Sequence, residues 1–188
     1  MYQPKPRSAT YADIEALPEH VIGEIIDGVL YTQPPPANPH VVASSNLGNM
    51  LFAPFRRGST APSSPGWILL HKPELHLRGN VLVPDLAGWR RERLPEVPNR
   101  QGLDLAPDWV CEILSPSTAA KDRAKKLPIY SKEGVHHTWL VDPVAKTLEV
   151  YRREGQSWLL LGTWADEATV AAEPFDAVPF ELGLLWRA

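Results

Sequence analysis

The stretch Pro107-Asp108-Trp109-Val110-Cys111-Glu112-Ile113-Leu114-Ser115-Pro116-Ser117-Thr118-Ala119-Ala120-Lys121-Asp122-Arg123-Ala124-Lys125-Lys126-Leu127-Pro128-Ile129-Tyr130 decides the fold. An apolar run from Trp109 to Leu114 carries one acid, Glu112, and breaks at Ser115-Pro116-Ser117-Thr118. A helix-favouring segment with Lys121, Asp122, Lys125 and Lys126 follows, so the pattern is strand, turn, helix. A strand this apolar lies inside a sheet, where an ionisable side chain is costly unless it is paired or binds a metal. Glu112 therefore requires a partner.

Working outward, 188 residues fit one domain (1–188, with 1–9 and 166–188 less regular) and are enough to bury a real core. With 44% hydrophobic and 22% charged residues the chain reads as an ordinary soluble globular protein. A net charge of -3 argues against a generally basic nucleic-acid coat, while leaving room for a local basic strip. The single cysteine, Cys111, excludes an internal disulfide, fits a reducing compartment, and by its place in the apolar run reads as a packed core thiol. The N-terminus lacks the apolar core of a signal peptide and no stretch is long enough to span a membrane, so a cytoplasmic location is expected.

Thr10 to Leu17 predicts a short capped helix, and Gly23 to Tyr31 a hairpin turning at Asp27-Gly28. After Pro34-Pro35-Pro36, near-helical spacing of apolar residues predicts a helix over Asn38 to Arg57, and residues 58–66 predict a loop. Trp67 to His71, Glu74 to Leu77 and Val81 to Trp89 read as three strands, and the polar residues 90–106 as a surface loop. Thr138 to Val141, Leu148 to Arg152 and Trp158 to Trp164 add three more strands. The fold class is α+β with a central mixed sheet.

Asp85 and Glu112, 27 positions apart, each interrupt an apolar strand-like run. Neighbouring strands would bring both carboxylates to one point, where a hard divalent cation takes oxygen ligands and keeps several waters. Such an ion polarises a phosphoryl oxygen and activates a bound water, and a nearby lysine stabilises the developing charge. Asp122, Lys126 and Tyr130 recur every four residues and share a helix face. By spacing alone, Asp122 and Lys126 read first as an ordinary i,i+4 ion pair, and the two buried acids read equally as carboxylates hydrogen-bonded to backbone or paired with arginine.

The residues Tyr11-Ala12-Asp13, Gly23-Glu24-Ile25-Ile26-Asp27-Gly28, Pro34-Pro35-Pro36 with His40, Val83-Pro84-Asp85, Glu112-Ile113-Leu114-Ser115-Pro116-Ser117-Thr118, Asp122 with Lys126 and Tyr130, and Trp139-Leu140-Val141-Asp142-Pro143 occur in an order that resembles the Uma-two family of "putative restriction endonucleases", within the PD-(D/E)XK nuclease superfamily. The resemblance runs from about residue 10 to about residue 152. It implies a restriction-endonuclease-like core, a mixed sheet flanked by helices with extra antiparallel hairpins, binding Mg²⁺ or Mn²⁺. Asp85 and Glu112 would be metal ligands, with the carbonyl of Ile113 and with Glu24 completing the set. The superfamily's lysine, two positions after the second acid, would fall at Leu114, so the amine is expected to have migrated to Lys126. His40 and Asp122 are accessory candidates.

Pro128, two residues beyond Lys126, is unusual inside a helix because it removes a hydrogen bond and crowds the preceding turn. His136, His137 and Asp142 read as satisfied or turn residues, and Ser115 and Ser117 as strand-end and capping residues without a nucleophile elbow. Arg90, Arg91, Arg93, Lys121, Arg123 and Lys125 would line a phosphate track if DNA is the partner. The leading reading is a Mg²⁺-dependent DNA endonuclease with Asp85, Glu112, Glu24 and Lys126 as catalytic residues. The alternatives are a nuclease-fold module that binds DNA or oligomerises without cleaving, and a metal-dependent small-molecule phosphoesterase. The resemblance also suggests a homodimer.

Overall fold

The computed structural model describes residues 7–55 and 66–188. Helix α1 is Tyr11–Glu15, entered through a capping box in which Asp13 reaches back to the N–H of Thr10 at 2.7 Å. Strands β1 (Gly23–Ile26) and β2 (Val29–Thr32) form the expected hairpin. Asp27 and Gly28 both take positive φ, 51° and 76°, as a two-residue turn of type I′ demands. Helix α2 is Asn38–Phe55; the far end expected at Arg57, and nearly all of the loop expected at 58–66, lie outside the described residues.

Strands β3 (Trp67–His71), β4 (Leu75–Leu77), β5 (Asn80–Leu82), β6 (Leu86–Arg90) and β7 (Trp109–Ile113) follow. Helix α3 spans 119–132 and includes a π-helical segment, Asp122–Lys126. Strands β8 (His137–Asp142), β9 (Thr147–Glu154), β10 (Ser157–Ala165), β11 (Thr169–Val170) and β12 (Phe180–Glu181) precede a 3₁₀ helix, Leu182–Trp186. A six-stranded sheet has the order β10-β9-β8-β7-β6-β3, and a four-stranded sheet the order β2-β1-β5-β4. The larger sheet is mixed: β7 and β8 run parallel, joined by α3 as the crossover, and every other pair is antiparallel.

Two expectations change. The single strand over Val81 to Trp89 is two strands in two sheets, because Pro84 has no N–H to continue a ladder. Residues 90–106 are not simply a surface loop: Leu94 and Leu103 are buried, and Leu103 makes a parallel bridge to Leu75.

Side-chain alternation along β7 explains the layers. Trp109, Cys111 and Ile113 face one core with Ala43, Leu47, Leu51 and Phe55 of α2 and with Phe175, Leu182 and Leu185. Val110 faces a second core with Ile26, Leu75 and Leu82 of the smaller sheet and with Ile129 and Tyr130 of α3. Glu112, two residues on from Val110, shares that second face. Gly88 of β6 lies against the first core: a Cβ there would sit 2.7 Å from Leu69 Cδ2, with the rings of Trp67 and Trp109 at 3.1 and 3.3 Å. Gly88→Ala is expected to destabilise the protein by about 1–3 kcal/mol through overpacking, read as a lower urea midpoint at unchanged slope.

Candidate active site

Register brings the two acids together. Leu86 pairs with Cys111, so Asp85, one residue earlier, stands across from Glu112, one residue later. Residues opposite each other on antiparallel strands share a face. The backbone ladder stops at Pro84, and the Asp85 side chain replaces it: Oδ2 accepts the Ile113 N–H at 2.8 Å. His40, near the start of α2, has Nε2 at 3.2 Å from the same oxygen. Asp85, Glu112, Ile113, His40, Asp122 and Lys126 all line one cleft of about 240 Å³, walled by Pro34-Pro35-Pro36 on one side and Ser115-Pro116-Ser117-Thr118 on the other.

Lys126 occupies the centre of a charged cluster. Its Nζ lies 2.9 Å from Glu112 Oε1, 2.8 Å from Glu24 Oε1 and 3.7 Å from Asp122 Oδ1, and the residue is only 1% exposed. The Tyr130 hydroxyl also donates to Glu112 Oε1, at 2.6 Å. Glu24 is fully buried and does not line the cleft: Oε1 accepts the Val83 N–H at 3.0 Å as well as Lys126, and Oε2 takes Lys121 at 2.8 Å. Glu24 thus ties the hairpin strand β1 to both lysines of α3.

The π-helical segment accounts for that arrangement and for Pro128. At 100° per residue, positions 121 and 126 of an α-helix would point roughly 140° apart. The wider turn, in which the Leu127 N–H bonds the Asp122 carbonyl, brings residues five apart near one face, so Lys121 and Lys126 both reach Glu24. It also falls just before Pro128, which stands in the first turn of the regular helix that follows, where its missing N–H is tolerated. The proline starts a new helical register and leaves Lys126 aimed inward.

Electrostatics divide the carboxylates into two kinds. Burial raises the Glu24 carboxyl, but the Lys126 and Lys121 charges outweigh it and bring the pKa down to about 2. Burial dominates at Glu112; Lys126 works against it, while Asp122, Asp85 and Glu24 add to it, and its pKa is pushed up to about 8. Burial also raises Asp122. At Lys126 burial favours the neutral amine, but Glu112, Glu24 and Asp122 together hold the ammonium above the ordinary lysine value. The surrounding acids thus favour the ammonium form of Lys126. Cys111 is buried, with a thiol held well above its usual range by burial first, which fits a packing role.

The remaining expectations sort by their partners. His136 meets Asp108, and His137 meets Glu173. Asp142 Oδ1 accepts the N–H groups of Val144 and Ala145 as a turn residue. Ser115 Oγ lies 3.0 Å from both Ser117 Oγ and Thr118 Oγ1 at the entry to α3. Of the residues expected along a phosphate track, Arg93 is bound to Asp108, Arg123 is bidentate on Glu149, Lys121 is on Glu24, and Arg90 stacks on Trp67 at 4.1 Å. Each of these four charges is engaged with a partner within the chain. Sequence reasoning missed Lys72 and Gln33 as cleft residues. Neither belongs to a periodic pattern, and both reach the cleft only through tertiary packing.

Among the described residues no three His, Cys, Asp or Glu side chains gather closely enough to enclose a metal ion. A cation that keeps most of its waters needs only one or two carboxylates. Asp85, and Glu112 once it gives up its proton, provide hard oxygen donors of that kind in one cleft, so the donor chemistry fits Mg²⁺ or Mn²⁺.

A solved structure with the same architecture is a putative nuclease belonging to DUF820 from Anabaena variabilis, similar at a TM-score of 0.73 over 95% of this chain and 97% of that chain, at 23% identity. At that identity the likeness shows a nuclease-like fold alone. The profile of the Uma2 family, described as "Putative restriction endonuclease", matches residues 9–184, and the chain belongs to that family. No curated protein matches it. No helix among the described residues is long and apolar enough to cross a membrane.

Removing the central ammonium tests the cluster. Lys126→Met would leave Glu24 with one lysine and Glu112 with none, at an expected cost of about 3–5 kcal/mol by urea denaturation. The pH dependence follows from Glu24, whose folded pKa near 2 lies below its ordinary 4.5. Its contribution to stability is fully present above about pH 4.5 and is lost as the pH falls through about 2. The stability gap between wild type and Glu24→Gln should therefore narrow over that window in acid titrations followed by circular dichroism. A gap independent of pH would contradict the ion pairing.

Proposed function

We propose that the chain is a Mg²⁺- or Mn²⁺-dependent endonuclease that hydrolyses DNA phosphodiester bonds in the cleft of Asp85 and Glu112. The observation that carries the reading is the meeting, in one cleft, of two carboxylates from adjacent strands with a buried ammonium 2.9 Å from one of them. When bound, the metal would supply Lewis acidity at the phosphoryl oxygen and lower the pKa of a bound water. Asp85 and Glu112 would hold it, with the Ile113 carbonyl as a further oxygen.

The chain's own residues set the rest. The Ile113 N–H and His40 fix the Asp85 carboxylate through Oδ2. Tyr130 and Lys126 fix Glu112 through Oε1. Lys126, held as the ammonium by the acids around it, would stabilise negative charge developing on the phosphoryl group. Glu24, which the resemblance puts at the metal, acts here through the two lysines it orients, and Asp122 adds a third acid beside Lys126. The protein is read as one cytoplasmic domain over 1–188. Its homodimer would form through the long edge strand β10, where Leu159 and Leu160 are 40% and 48% exposed. A monomer by sedimentation equilibrium at the highest soluble concentration would remove the dimer.

Plasmid and duplex oligonucleotides incubated with Mg²⁺ or Mn²⁺ should be cut, and the rate should fall at least about 100-fold in Asp85→Asn, Glu112→Gln and Lys126→Met. Cleavage that survives in Asp85→Asn would show that the site is elsewhere. A second reading is favoured by the pairing of Glu112 with Lys126 within the folded protein: a nuclease-fold module that binds DNA without cutting it. DNA binding without cleavage under any divalent metal would select that reading.

A further inference from the structure

Among the described residues four basic side chains line the cleft: His40, Lys72, Lys121 and Lys126. Three are committed. Lys121 and Lys126 are bound to Glu24 at 2.8 Å each, with side chains 14% and 2% exposed, and His40 is on Asp85 at 3.2 Å. Lys72 differs. Its side chain is 34% exposed, and the ion pair it makes, to Asp85 Oδ1 at 3.8 Å, is too long for a hydrogen bond.

The Lys72 backbone is nevertheless firmly placed. Its N–H donates to the Asp85 carbonyl at 2.9 Å, and its φ of +44° lies in the left-handed region usually given to glycine or asparagine. Arg78 and Lys146 take the same backbone region at other turns, so the conformation fixes the turn between β3 and β4 and with it the root of the Lys72 side chain. The main chain is pinned beside an active-site acid while the amine, on its flexible stem, keeps donors to spare.

We propose that Lys72 is the phosphate-binding residue of the cleft, its ammonium donating to a non-bridging oxygen of the phosphodiester that Asp85 and Glu112 face. This rests on the nuclease reading above and deepens it. A phosphate approaching two carboxylates needs a cation whose amine is free to move toward it. Lys121 is held at 2.8 Å on the buried Glu24, and Lys126 on Glu24 and Glu112; Lys72 can exchange its long contact with Asp85 for a substrate oxygen while its Cα stays in place.

The test follows a 5′-labelled duplex oligonucleotide by fluorescence anisotropy in EDTA across a NaCl series, alongside plasmid cleavage kinetics in Mg²⁺. Lys72→Gln is expected to make the slope of log affinity against log salt shallower by about 0.9, the loss of one phosphate contact, and to raise KM several-fold with a smaller change in kcat. Lys72→Arg should restore both, and Lys132→Gln, on the far end of α3, should alter neither. Lys72→Gly relieves the left-handed backbone and should melt no lower than wild type while showing the same loss of binding.

An unchanged slope and KM in Lys72→Gln, with wild-type cleavage intact, would overturn the assignment and leave the nuclease reading standing. Should the wild type cut no DNA, calorimetric titration with inorganic phosphate in Mg²⁺ decides. Phosphate binding weakened at least about tenfold in Lys72→Gln sustains the anion site without the nuclease. No phosphate binding by the wild type, or equal binding by the variant, overturns the proposal.

Discussion

The arrangement depends on one buried ammonium. Lys126 bridges Glu24 of the smaller sheet and Glu112 of the larger one, so a single charge joins two sheets that have separate hydrogen-bond ladders. A cation in that position is stable only because acids surround it, and the acids tolerate burial only because it is there. With Lys121 also on Glu24, the cluster sets two lysines against Glu24, Glu112 and Asp122. The two lysine charges hold Glu24 ionised, whereas burial first, with the neighbouring acids adding to it, drives Glu112 toward its protonated form. Strong perturbation in opposite directions at neighbouring carboxyls, one of them lining a cleft, is characteristic of reactive sites.

Two departures from regular structure make that bridge geometrically available. Pro84 ends one ladder and begins another, so a continuous apolar run becomes β5 in one sheet and β6 in the other, with Asp85 at the junction. The π-helical segment of α3 lets two lysines five residues apart converge on one carboxylate. Each irregularity costs local hydrogen bonding, and each sits within a residue or two of a side chain in the cleft. Local rules failing at a functional site is the pattern expected when a fold is regular elsewhere.

Much of the fold was legible because its signals are local. The hairpin at Asp27-Gly28, the capped helix α1, the strands β3, β4, β8, β9 and β10, and the strand-turn-helix of β7 and α3 follow from turn chemistry and periodicity. The division at Pro84 was harder to read, since an apolar run on either side of a proline looks the same whether the halves share a sheet or not. The buried Leu94 and Leu103 were missed because two leucines in a polar stretch carry no period. Of the candidate site, Asp85, Glu112 and Lys126 stood out as charges within apolar or helical patterns, and the structure brings all three to one cleft. Lys72 gave no such signal.

The sequence by itself determined the elements and their kinds: which residues alternate, where the chain turns, and which strands are too apolar to hold an unpaired acid. It also carried the ordered motifs of the Uma2 family across nearly the whole chain. Tertiary structure alone decided who partners whom. Glu24 became the anchor of two lysines, three of the arginines expected along a phosphate track, Arg93, Arg123 and Arg90, were held by Asp108, Glu149 and Trp67, and Lys72 was left as a loosely paired amine of the cleft. The physical reason is range. Turns and periodicity arise from neighbours a few residues apart, whereas a charge is satisfied by whatever lies within about 4 Å in space, and that distance is set by the packing of both sheets at once.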